Sequence, residues 1–192
     1  VAVWKSMDTS GTYHTGGASS ASAAGVSTIR AESLHFEATR TNSETEKLTA
    51  QLASGIVGIL DSTALAFGKT AGYTAATAFA DDTSKDGAWG GLVIDKLGQK
   101  IVDWQDTKTG AWAPKVFADG AAGQEQYLAA LSASVRTALD GIGLPGWATK
   151  MLDGLGSSAS IDDLAKVVDQ INATQQTLSL LGASIKGFAG LS

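Results

Sequence analysis

The chain has no cysteine, two prolines and two histidines in 192 residues, and its 14 lysines and arginines are outnumbered by 19 aspartates and glutamates. Without cysteine there is no disulfide, no thiolate nucleophile and no thiolate metal site. The compartment stays open, since extracellular and virion proteins also lack cysteine. A formal net charge of −5 and a pI near 4.9 leave no basic surface for a phosphate backbone, so no sequence-specific nucleic-acid partner is expected. Long apolar runs are missing too. Leu52 to Phe67 is interrupted by Asp61 and falls short of the roughly 20 apolar residues of a membrane span, so it reads as a buried helix. Val1-Ala2-Val3-Trp4 offers neither the basic start nor the apolar run of a secretory signal. The chain opens without Met and stops soon after Phe188 and Leu191, and it is expected to be a processed or excerpted piece of a longer protein.

What is present is globular: 44% hydrophobic and 17% charged residues, enough for one core, or one core with an extended arm. Much of the apolar share is alanine, and glycine reaches 23. Small side chains suit close backbone approach and segments that become buried only against other chains.

Three stretches are distinguished by composition. Residues 1–25 begin with Val1, Val3 and Trp4 and continue as a Ser/Gly/Thr/Ala linker from Thr9 to Gly25, expected to be flexible. Residues 26–156 read as an α+β module and 157–192 as a C-terminal helical segment. Within the module, Val26 to Arg40 is ambiguous between strand and helix. Ser43 is placed to cap a helix with Glu46 at the third position. Leu48, Leu52, Ile56, Ile59, Leu60, Thr63 and Phe67 then keep a 3.6-residue period. Gly55 and Gly58 inside that helix suggest tight contact with a neighbour, and Gly68 and Gly72 end it.

The period then changes. Tyr73, Ala75, Thr77 and Phe79 alternate with Thr74, Ala76, Ala78 and Ala80 as in a half-buried strand. Asp81 to Gly87 reads as a polar hairpin loop, Trp89 to Ile94 as a second strand, Asp95 to Gly98 as a turn and Lys100 to Gln105 as a third strand. Connections this short make a three-stranded antiparallel meander over residues 72–105. Thr107 to Gly120 is irregular. Gln124 to Leu139 returns to helical spacing, and Pro145 opens a short helix, Gly146 to Leu152. The expected fold class is therefore α+β: a mostly helical chain with a small three-stranded antiparallel β-meander and a C-terminal amphipathic, coiled-coil-like helix.

That last helix has the clearest geometry. Ser160 caps it, with Asp162 and Asp163 in the first turn. Ile161, Leu164, Val168 and Ile171 step by 3, 4 and 3, and Leu178, Leu181, Ile185 and Phe188 repeat the steps. A 3-4 spacing marks a coiled-coil seam, with a phase change between the two sets. Two readings stand: a helix folded back on its own domain, or a seam for other copies of the chain.

No catalytic, cofactor-binding or metal-binding residue is assigned. Gly68-Lys69-Thr70 has the ending of a phosphate loop, but Thr63 stands where the leading glycine belongs. His14 and His35 have no second ligand at zinc spacing. Asp81, Asp82 and Asp86 lack the register and closing Glu of a calcium loop. Of the five tryptophans, Trp89 and Trp104 fall on the expected strands as packing residues. Trp4 lies near the N-terminus, and Trp112 and Trp147 lie in loop-like stretches, where aromatic anchors serve interfaces.

The order and texture of the chain resemble the C-terminal part of a tail tape measure protein from a long, non-contractile-tailed bacteriophage. The stretches that carry the likeness are Ile29 to Arg40, the small-residue helix after it, and Ala118 to Leu128. The resemblance implies a structural virion protein sited in the tail lumen and at the tail tip. Its implied roles are tail length determination, assembly and genome ejection through the host envelope. The implied partners are two further copies in a homotrimer, the tail tube, the distal tail and baseplate hub proteins, and the host membrane after ejection. It carries over no catalytic residues and no cofactor. Two other readings are weighed: a cell-wall-degrading enzyme, whose reactive groups would be Glu32, His35 or Glu37, and a secreted adhesin or glycan-binding module using the meander and its tryptophans. The meander itself is expected to act as a docking wedge, with Trp89 and Trp104 fixing its shape.

Overall fold

The computed structural model describes residues 15–22, 25–28, 40–41, 43–81, 88–104 and 115–189. Strands β1 (Thr15–Ser22) and β2 (Gly25–Thr28) pair antiparallel, and β3 (Arg40–Thr41) runs parallel to the start of β1. Helix α1 (Ser43–Ala66) follows, then β4 (Tyr73–Asp81), β5 (Ala88–Lys96), β6 (Gln99–Asp103) and β7 (Lys115–Phe117). Three helices complete the chain: α2 (Gly120–Asp140), α3 (Gly146–Asp153) and α4 (Ile161–Ala189).

The α+β class and the meander β4-β5-β6 are as the sequence indicated. The sheet is larger than expected, however, because among the described residues seven strands join it in the order β2-β1-β4-β5-β6. β3 pairs with β1, and β7 with β5. The linker expected from Thr9 to Gly25 is corrected over Thr15–Ser22, which forms β1. Its register with β4 runs from Thr15 opposite Asp81 to Ala21 opposite Ala75. A strand of Gly, Ala and Ser shows no apolar alternation, and what orders it is the backbone ladder to β4. Val26 to Thr28, left open between strand and helix, lies in β2; residues 29–39 lie outside the described residues.

One face of the meander supplies the core. Tyr73, Ala75, Thr77 and Phe79 of β4 are buried, with Leu92 and Ile94 of β5 as neighbours. α1 covers β1 and β4 with Leu52, Ile56, Leu60 and Ala64, while α2 crosses β5 with Tyr127, Leu131 and Val135. Two buried threonine hydroxyls find carbonyl acceptors: Thr63 Oγ1 donates to the Ile59 carbonyl at 2.7 Å, and Thr77 Oγ1 to the Thr49 carbonyl at 2.8 Å, tying sheet to helix. The carboxylate of Asp61 accepts from the amides of Gly72 and Tyr73 at 2.9 and 3.0 Å, fixing how the chain leaves α1 for β4.

Several local signals hold. α3 begins directly after Pro145. Ser160 and Asp163 form a reciprocal capping box: the Asp163 amide donates to Ser160 Oγ at 3.1 Å, and the Ser160 amide to Asp163 Oδ2 at 3.2 Å. The hydrogen bonds from Ser160 hold the Asp163 carboxyl below its ordinary pKa. Between β5 and β6, Leu97 and Gly98 both have positive φ, 49° and 83°, as a two-residue hairpin of the primed type requires. Gly55 and Gly58 depart from expectation. A Cβ on either would meet nothing within 4 Å, so among the described residues of this chain they mark no close approach.

Candidate functional site

α4 is divided by its surroundings. In its first half Ile161, Leu164, Val168 and Ile171 are all buried against α1, α2 and α3. Of the two readings left open by the 3-4 spacing, the first seam is thus the helix folding back on its own domain. The second half is different. Leu178, one seven-residue step beyond buried Ile171, is 47% exposed, and Leu180 and Leu181 are 71% and 55% exposed. The side chains of Ile185 and Phe188 lie outside the described residues.

Beside this arm a groove of about 940 Å³ opens between the end of α1 and α4. Its apolar lining is Leu65, Ala66, Ala173 and Leu180, and Leu65 is 62% exposed. Asn172 sits at its base. The amide nitrogen of Asn172 donates to Ser62 Oγ at 3.3 Å, while its buried Oδ1 has no hydrogen-bond partner among the described residues. Among the described residues Asp169 is the single ionisable one in the lining. No ionisable residue at all lies between Asp169 and Lys186. The hydroxyls of Thr174, Thr177 and Ser184 donate to carbonyls one turn back, those of Gln170, Ala173 and Leu180, at 2.8 to 3.0 Å. They are satisfied without water and are cheap to cover. Chemically, the groove suits an apolar surface carrying a few amide or hydroxyl groups.

A second concentration of aromatic side chains is internal. Tyr127 packs against Phe79, with ring centroids 4.8 Å apart, and against Phe117 and Trp104 at 5.9 and 6.1 Å. Trp104 Nε1 donates to Ser134 Oγ at 3.0 Å, and Lys115 Nζ lies 4.8 Å above the indole. These rings join the sheet to α2. Trp104 therefore packs as expected, and its neighbours belong to the chain's own core. Trp147, read as a loop anchor, is instead in the first turn of α3, half-buried and 6.1 Å from Phe67. Trp89 lies in β5, opposite Ala80 and Val116.

The remaining residues flagged by sequence divide simply. Gly68-Lys69-Thr70 follows α1 as a helix terminus, with Gly68 at φ 68° and the Lys69 amide donating to the Ala64 carbonyl. Asp81 ends β4. Trp4, His14, Glu32, His35, Glu37, Asp82, Asp86 and Trp112 lie outside the described residues. Among the described residues no three His, Asp or Glu side chains gather as a metal site would need. The groove escaped sequence reading because its walls come from α1 and α4, over 100 residues apart in the chain. The sequence signal that pointed toward it was the second 3-4 seam from Leu178 onward, in a stretch without ionisable residues. No protein-family model, no curated protein and no solved structure matches this chain.

Proposed function

We propose that this chain is a structural virion protein, the C-terminal part of a phage tail tape measure protein sited at the tail tip. In this reading it acts in tail assembly and length determination, and then in genome ejection through the host envelope. The observation that carries the assembly role is the distal half of α4, which has no ionisable residue before Lys186 and exposes Leu178, Leu180 and Leu181. Apolar surface of this kind is characteristic of a part meant to be covered by other subunits. The tail itself enters through the resemblance of Ile29 to Arg40 and Ala118 to Leu128 to that family.

In the tail, three copies stand against the distal tail and hub proteins, inside the tube. α1 contains a stretch, Thr45–Ala66, long and apolar enough by length and composition to cross a membrane, and 56% of its most apolar window is buried. Membrane contact during ejection would require that buried face to leave the core.

The test is localisation and stoichiometry in purified tails. Gold directed at an epitope after Ser192 is expected at the tail tip, with three copies per tail by quantitative mass spectrometry. Absence of the chain from purified virions, or label along the outer tail, overturns the reading.

A further inference from the structure

We propose that α4 is a helix in two parts, and that its distal half is a conditional arm which opens and refolds at Asn172 while the rest of the fold stays closed. The inference rests on the arm's own residues and does not depend on the tail assignment.

The two halves are held very differently. The proximal half starts at the Ser160–Asp163 capping box and buries Ile161, Leu164, Val168 and Ile171. Opening it would strip four side chains from the core, so it leaves only when the domain unfolds. Beyond it, among the described residues, none from Asn172 to Ser184 is buried. One described side-chain hydrogen bond joins this stretch to another element, from Asn172 Nδ2 to Ser62 Oγ at 3.3 Å, and it is exposed. Little therefore opposes opening past that point.

Nor does the arm hold itself. Helices of about 12–15 residues are marginal in water even when rich in alanine. Thr174, Thr177, Ser179, Gly182 and Ser184 all have lower helix propensity than alanine. The hydroxyls of Thr174, Thr177 and Ser184 bond to carbonyls one turn back, a pattern that weakens and bends helices. With no ionisable residue between Asp169 and Lys186, no ion pair one turn apart supports the arm. The contact from Gln175 Nε2 to Ser179 Oγ is neutral and long, at 3.4 Å.

Opening of the arm also dissolves the groove. Ala173, Gln176, Ser179 and Leu180 belong to its α4 wall and leave together, while Ser62, Leu65 and Ala66 stay on α1. The groove exists only while the arm is helical, so arm and groove form one two-state element. By linkage, whatever binds the formed groove orders the arm, to the extent that it prefers the helical state. Helicity of the arm and occupancy of the groove are thus two readings of one equilibrium.

Amide hydrogen exchange of the full chain, read residue by residue by NMR over a dilution series, tests this. The amides of Thr177 to Ser184 are expected to be protected at least about 100-fold less than those of Leu164 and Val168. Gly182→Ala adds a methyl that meets nothing within 4 Å. It should raise the arm's protection about four- to fivefold and leave Leu164 and Val168 unchanged. Arm protection that appears only as the chain is concentrated also supports the proposal, since contact then orders the arm. Protection equal to that of Leu164 and Val168 at every dilution overturns it. So does a Gly182→Ala arm that exchanges as fast as the wild-type arm, because the opening is then not helix melting. An equal gain at Leu164 and Val168 overturns it as well, because α4 then opens as one piece.

Discussion

The ring of Tyr127 occupies the place a side chain at residue 90 would take: a Cβ on Gly90 would stand 2.5 Å from Tyr127 Cδ2 and 2.9 Å from Phe117 Cε2. Gly90 lies opposite Phe79 in the register of β4 and β5, and Phe79 holds the other side of the same ring. The strand is bare at Gly90 so that α2 can bring a buried aromatic onto the sheet.

Gly90→Ala is therefore expected to lower stability by roughly 1–3 kcal/mol, the usual cost of overpacking a filled core. Urea unfolding measures it. In a double-mutant cycle with Tyr127→Leu the cost of the added methyl should shrink, since the clash is with the ring; an unchanged cost would place the strain in the backbone instead.

The hydroxyl of Tyr127 is buried and makes no hydrogen bond of good geometry among the described residues, although Thr77, whose own hydroxyl donates to the Thr49 carbonyl, lies nearby. Burial raises its pKa well above the ordinary 10.0, and Thr77 draws it back only in part. In the unfolded chain the group ionises near pH 10, while the folded protein keeps it neutral. Above that pH the unfolded state binds fewer protons, so stability falls as pH rises, by up to about 1.4 kcal/mol per pH unit. Tyr127→Phe should flatten this alkaline slope and leave stability at pH 7 equal or slightly higher. Some slope will remain, since burial, and then Asp61, also raise Tyr73. Urea titrations at pH 7 and at intervals from 9.5 to 11.5 decide it.

Asp61→Ala removes the acceptor shared by the Gly72 and Tyr73 amides. A cost of about 1.5–3 kcal/mol is expected for hydrogen bonds to a charged group. Asp61→Asn keeps an acceptor oxygen and should recover part of the loss. Protection of the Gly72 and Tyr73 amides in hydrogen exchange should fall in the Ala variant while α2 is unaffected.

Gly58→Ala adds a methyl facing open space inside α1. It is expected to raise stability by about 0.5–1 kcal/mol through backbone entropy and helix propensity. The same holds for Gly55→Ala. A gain in stability with undisturbed sedimentation would show that neither glycine lies against another copy; a loss of association with the gain would show that one does.

Much of the fold was legible because its signals are local. The alternation from Tyr73 to Phe79, Pro145 before α3 and the Ser160–Asp163 box each act within a few residues, through hydrogen bonds and side-chain directions that any copy of the segment would share. The apolar period of α1 and the class α+β follow in the same way. Tertiary structure alone decided the rest. β1 carries no alternation and became a strand by pairing with β4, a partner more than fifty residues away. Gly90 has no meaning until Tyr127 is placed above it. Ile171 and Leu178 stand at equivalent positions of one helix seven residues apart, yet one is buried and the other exposed. The difference lies outside that helix: neighbouring elements pack onto Ile171 and leave Leu178 47% exposed, and burial depends on where neighbours stand, which no local pattern encodes.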